Sequence, residues 1–142
     1  SLLQLLIKRD VPNKVLLVAK SDHVAWKKRL TNMLIGNLRL QPEDLSTDHT
    51  CRLGKWYFGP DAEPYRHRPA FIELAEHHRS VHENGIAAVR AFNAGKQDEA
   101  MYLFELVEKA SDGVIACLDR LIGESGSCPD DVTDAGSERR SA

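Results

Sequence analysis

"PAFIELAEHHRSVHENGIAAVRAFN", residues 69–93, decides the class of fold. Phe71, Leu74, Ala75, Gly85, Val89 and Phe92 recur on one stripe of a 3.6-residue period, so the stretch predicts an amphipathic helix. Pro69 suits the first turn, where its missing N–H costs nothing. His78 and His82, four apart, fall on the same inward stripe, while His77 falls beside it. The helix that fixes the fold class therefore carries imidazoles where a core would take leucines.

Two further helices follow from the same reading. Asn13 reads as an N-cap, after which Leu16, Ala19, His23, Trp26, Leu30 and Met33 step by threes and fours to about Ile35, with Gly36-Asn37 as the stop. Downstream, the turn "NAGKQD" offers Asp98 as the cap of a third long helix, with Ala100, Leu103, Val107, Ser111, Val114, Leu118 and Leu121 on one face. Residues 38–68 are rich in turn formers, with room for one short helix near Pro42. A connection this long in a small domain is usually functional or disordered, and it contains Cys51. With no β-type alternation and no internal repeat, the expected class is all-α: a four-helix bundle with a long Cys-bearing loop or short helix between the first and second long helices. Residues 13–123 form the expected domain. Residues 1–12 read as a linker or the stub of a preceding module, since residue 1 is Ser rather than Met. Residues 124–142 lose all periodicity and read as a disordered tail.

Composition narrows the function classes. The 142 residues are 42% hydrophobic and 28% charged, which fits one globular domain with a modest core. A formal charge of -2 gives no electrostatic reason to expect nucleic acid or an anionic membrane as partner. "LLQLLI" at 2–7 is far shorter than the roughly 18 residues of a spanning helix and lacks the flanks of a signal peptide. Three scattered cysteines, Cys51, Cys117 and Cys128, do not form a disulfide framework and fit a reducing cytoplasm.

His23, His78 and His82 face one core from two helices. A single core histidine is usually satisfied by a hydrogen bond, but three neutral imidazoles need donors and acceptors away from water. A metal satisfies one nitrogen of each at once. The i, i+4 pair aims two imidazoles at one point, a histidine from a facing helix adds a third, and the Cys51 thiolate is the natural fourth ligand. Three nitrogens and one sulfur describe zinc in a closed, non-catalytic site. The zincin pattern His-Glu-x-x-His fails, because His78 is followed by Arg79 and no glutamate stands as general base. A carboxylate-bridged di-iron centre would need inward glutamates, and Glu73 and Glu76 lie off the stripe.

"AKSDHVAWKKRL" (19–30), "HTCRLGKWYFGP" (49–60) and "HRSVHENG" (78–85), in this order and spacing, resemble the chemoreceptor zinc-binding (CZB) domain of bacteria. The resemblance covers roughly residues 13–122. It implies a four-helix domain, appended in the family to cytoplasmic chemoreceptors and to some diguanylate cyclases. It also implies zinc held by His23, Cys51, His78 and His82, usual homodimerisation, and a role as an input module answering zinc or oxidants such as hypochlorous acid. The output partner, a chemoreceptor signalling domain or a cyclase, is not contained in this chain and is expected in the same or a partner polypeptide.

The other candidates have plainer readings. Trp56 and Tyr57 are packing anchors seating the Cys51 segment, with Gly54 permitting a tight turn. His49 is an alternate ligand, His77 a solvent-edge residue, His67 a loop residue, Cys117 a small core hydrophobe and Cys128 incidental. "WKKR" at 26–29 is a solvated helix face. Two rivals to a zinc sensor stay open. One is a small zinc hydrolase with three histidines, a metal-bound water and Cys51 uncoordinated; the other is a purely structural zinc domain.

Overall fold

Three long apolar stripes, broken by glycines, give three long helices in the computed structural model, which describes residues 14–126. In chain order these elements are α1 (Lys14–Leu34), a 3₁₀ turn (Pro42–Asp44), α2 (Arg52–Tyr57), a second 3₁₀ turn (Pro60–Tyr65), α3 (Pro69–Asn93) and α4 (Gln97–Gly126). The described residues contain no strand, so the class is all-α. Helix α4 runs on through residues 124–126, the first three of the expected tail; the expected cap Asn13, the linker over 1–12 and the rest of that tail, with Cys128, lie outside the described residues. No described helix is long and apolar enough to cross a membrane.

The helix ends follow local chemistry. At the α3 terminus Gly95 takes φ 81°, and Lys96 N–H closes back on the Ala91 carbonyl at 2.9 Å, a Schellman turn that needs a residue without a Cβ. Gly36 ends α1 the same way, with Asn37 N–H on the Asn32 carbonyl. The turn after α3 is so short that α4 starts before the expected cap. The Lys96 carbonyl accepts from Ala100 N–H at 3.0 Å, which makes Lys96 the cap position. Asp98 instead stands in the first turn with Glu99, where a carboxylate complements the positive end of the helix dipole.

Most of the predicted seam positions are buried, with Trp26, Ala75, Phe92 and Leu103 half-buried, and Val81, off the predicted seam, is buried as well. Leu16, Ala19, Leu30 and Met33 of α1 meet Phe71, Leu74, Val81 and Val89 of α3 and Val107, Val114, Leu118 and Leu121 of α4 in one core. Between α1 and α3, the helix expected near Pro42 is a single 3₁₀ turn. The Gln41 N–H is taken by the Asp44 carboxylate at 2.9 Å, and the buried Leu40 and Leu45 on either side pin the chain before a second turn can form. The helix of this segment lies later, at α2. Its six residues are too few to hold by propensity. Burial of Leu53, Trp56 and Tyr57 holds it instead. Tyr57 stacks on Phe71 with ring centroids 4.0 Å apart, and its hydroxyl donates to the Phe71 carbonyl at 2.8 Å. The Arg66 guanidinium donates to the Tyr57 and Gly59 carbonyls, placing a cation at the negative end of α2. The two aromatics are the packing anchors expected of them.

Candidate metal centre

Cys51 is the N-cap of α2, and its sulfur accepts the Gly54 N–H at 3.3 Å. The chain reaches it through a hydroxyl-stapled turn: Thr47 N–H donates to Thr50 Oγ1 at 2.8 Å, and Cys51 N–H donates to the Thr47 carbonyl at 3.1 Å. A Cβ on Gly54 would lie 2.0 Å from the Asp48 carbonyl oxygen. The glycine of Cys51-x-x-Gly54 is thus required by close approach of the 47–50 turn to α2, rather than by a turn of its own.

His78 and His82 project from α3 one turn apart, with their Nε2 atoms 3.1 Å from each other. Cys51 Sγ is 3.2 Å from His78 Nε2. The other nitrogen of His82, Nδ1, is 2.7 Å from the Ser46 carbonyl. A carbonyl only accepts, so Nδ1 carries the proton and Nε2 of the neutral ring presents its lone pair toward His78. The Trp26 indole packs edge-on against the His82 ring, centroids 4.7 Å apart, and fixes it from α1.

Burial decides the charge state of these donors. His78 is 4% exposed, and desolvation, followed by the neighbouring His82, lowers its pKa to about 3. Desolvation also lowers His82, against the Ser46 hydrogen bond. Neutral imidazole is the form that ligates. Burial pushes the Cys51 thiol up, against the backbone N–H groups of Gly54 and Leu53.

The Cys51, His78 and His82 donor atoms all lie within 4.8 Å of one another. Zinc bonds of 2.0–2.3 Å in a tetrahedron set ligand atoms roughly 3.3–3.6 Å apart, close to the two short contacts observed. A sulfur and two ring nitrogens, one with its lone pair fixed by Ser46, are the donor types zinc selects. The residues fit the metal. A cavity of about 240 Å³ adjoins the cluster, and His23, Trp26, Asp22 and Arg52 share its lining with the three donors.

The remaining candidates fall elsewhere. His23 lines the cavity but stands outside the three-donor group, with its Nε2 2.6 Å from Ser111 Oγ of α4. Burial, then the Lys27 charge, lowers its pKa to about 4. The His49 side chain is 65% exposed and stacked on Phe58, and it is not among the three converging donors. His77 is half-buried, His67 exposed and Cys117 buried in the core. Glu73 pairs with Arg120, and Glu76 is exposed. Within "WKKR", Lys27 is half-buried and paired with Glu108, so that face is only partly solvated. Two site residues had no assigned role in the sequence. Ser46 acts through its carbonyl, which no side chain announces, whereas Ser111 is a polar residue on the apolar seam of α4 and was a visible signal.

An all-α chain with a half-buried thiol at one helix start and two buried imidazoles from another helix converging on it is, by class, a candidate metal-binding helical domain. Residues 23–89 match the model of the CZB family, described as the chemoreceptor zinc-binding domain. The matched span contains His23, Cys51, His78 and His82. Comparison with curated proteins and with solved structures gives no match.

Proposed function

We propose that residues 13–123 are a zinc-binding sensory and regulatory domain, with Zn²⁺ held by His23, Cys51, His78 and His82 and without catalysis of its own. In this reading α2 is the short fourth member of a bundle. The observation that carries it is the convergence of Cys51 Sγ and the two Nε2 atoms at contacts of 3.2 and 3.1 Å, supported by the family match over the same residues. Zinc, when bound, would keep Cys51 as thiolate and join α2 to α3. The protein supplies the rest. His78 and His82 offer lone pairs from one helix face, the Ser46 carbonyl locks the His82 tautomer, and the Gly54 N–H steadies the sulfur.

The same sulfur is the responsive element. Against a peroxide, the thiolate attacks one oxygen, forms an S–O bond and expels hydroxide, so sulfur loses two electrons and the O–O bond gains them; hypochlorous acid reacts likewise with loss of chloride. A sulfenic acid is a poorer ligand than a thiolate, and α2 loses its metal-mediated tie to α3 while Tyr57 stays packed on Phe71. Zinc availability or oxidation thereby changes how α2 is held. The family's setting points to a homodimer in the cytoplasm that controls a chemoreceptor signalling domain or a diguanylate cyclase in the same or a partner chain, with neither nucleic acid nor membrane as partner.

The test is zinc stoichiometry and affinity by chelator competition on the wild type and on Cys51→Ala. One zinc per chain is expected. The variant should bind more weakly by more than the roughly 10- to 100-fold that loss of an outer partner costs. Unchanged affinity would remove sulfur from the site and favour the open, hydrolytic alternative. An affinity so tight that zinc never exchanges would favour a structural role.

A further inference from the structure

Ser111 is the buried polar group that the zinc reading leaves without a task. It is 2% exposed in the middle of α4, on a seam between Val107 and Val114 where an alanine would pack without needing a hydrogen bond. Its hydroxyl lies 2.6 Å from His23 Nε2 and 3.2 Å from Lys27 Nζ. Lys27 is one turn beyond His23 on α1 and pairs with Glu108, one turn before Ser111 on α4, at 2.5 Å. A hydroxyl has one proton and two lone pairs. The Lys27 ammonium fills one lone pair, and the contact with His23 uses the proton or the other lone pair. The imidazole is thus tied to α4 by a short, buried hydrogen bond, while its ring borders the cavity beside Cys51, His78 and His82 without joining their donor group.

We propose that Ser111 is a positioning residue that competes with the metal for His23. It holds the ring nitrogen against α4 whenever His23 is not a ligand, so occupancy of the metal site and the His23–Ser111 bond become alternatives. This rests on the reading above, in which His23 completes the ligand set. A bond present only in the metal-free state lowers apparent metal affinity by its own free energy. Lys27 and Glu108 keep each other satisfied in both states, so the exchange concerns one hydrogen bond. The consequence reaches α4, which contributes no ligand: metal binding removes the His23 bond from its midpoint and leaves the Lys27 contacts to Ser111 and Glu108.

The experiment is a double-mutant cycle of zinc affinity by chelator competition on the full chain: wild type, Ser111→Ala, His23→Ala and the double variant. Ser111→Ala is expected to bind zinc about five-fold more tightly, the size of one neutral buried hydrogen bond, and to have no effect in the His23→Ala background. In the metal-free wild type the ¹⁵N shifts of the His23 ring should move on Ser111→Ala and move again on adding zinc. Unchanged or weaker affinity in Ser111→Ala would overturn the inference, as would equal tightening with and without His23, which marks a packing effect. If His23→Ala binds as the wild type does, the inference falls while a three-donor zinc site survives. If the wild type binds no zinc, the proposed function falls and takes the inference with it.

Discussion

His82 uses both of its ring nitrogens, one on the Ser46 carbonyl at 2.7 Å and one on His78 at 3.1 Å, so its tautomer is set by a neighbour that cannot donate. His78 and His23 are held neutral mainly by burial, with pKa values of about 3 and about 4. A denatured chain binds these protons near the ordinary histidine value of about 6.5. In the metal-free protein the unfolded state therefore takes up protons first as pH falls. Stability is fully present above about pH 6.5 and is lost progressively down through the two folded values. Denaturant midpoints of chelator-treated protein at about pH 7.5, 5.5 and 4.5 should fall in that order, and His78→Gln should flatten the decline. A midpoint constant across that range would contradict the burial assigned to these rings. The positions were legible in the sequence as polar residues on apolar stripes; the tautomer was not, because the group that fixes it is a backbone carbonyl.

At the scale of elements, α2 is held by what surrounds it. Six residues with a glycine inside make no stable helix alone, and its N-cap is the candidate ligand itself. Gly54→Ala would bring a Cβ to 2.0 Å from the Asp48 carbonyl, backbone against side chain with no flexible end to yield. The 47–50 turn must then shift, and with it Cys51 on one side and Ser46 on the other. We expect a loss of about 2 kcal/mol in urea unfolding together with weaker zinc binding. Gly123→Ala in α4 is the control: a Cβ there meets nothing within 4 Å, and replacing a helix-interior glycine should leave zinc affinity alone and add about 0.5–1 kcal/mol. Equal effects at the two glycines would refute the close-approach argument. The Cys51-x-x-Gly54 spacing was visible in the sequence, but its cause was not, since the obstructing carbonyl is Asp48, six residues upstream of Gly54.

Across the whole molecule, the candidate ligands join segments far apart in the chain: Cys51 at the start of α2, His78 and His82 within α3, and His23 on α1. A metal gathering them stabilises the fold by linkage, by about 2.7 kcal/mol when free zinc is a hundred times its Kd. For a domain of this size that raises the thermal midpoint by about 10 °C or more. A chelator should reverse the rise, and Cys51→Ala should reduce it; a midpoint indifferent to zinc would count against the site. Sequence alone determined the all-α class and α3 from Pro69 to Asn93, because periodicity, proline and glycine act over neighbouring residues. It also picked out His78 and His82, because polar donors on a buried stripe stand out against the pattern, and Cys51, as the cysteine of a long connection able to reach them. Only the tertiary structure decided what lies across space. The turn at Pro42 gives way to a helix seated by Trp56 and Tyr57, and His23 meets Ser111 across 88 positions of chain. Those contacts depend on which surfaces meet when the helices pack, which no local pattern of residues records.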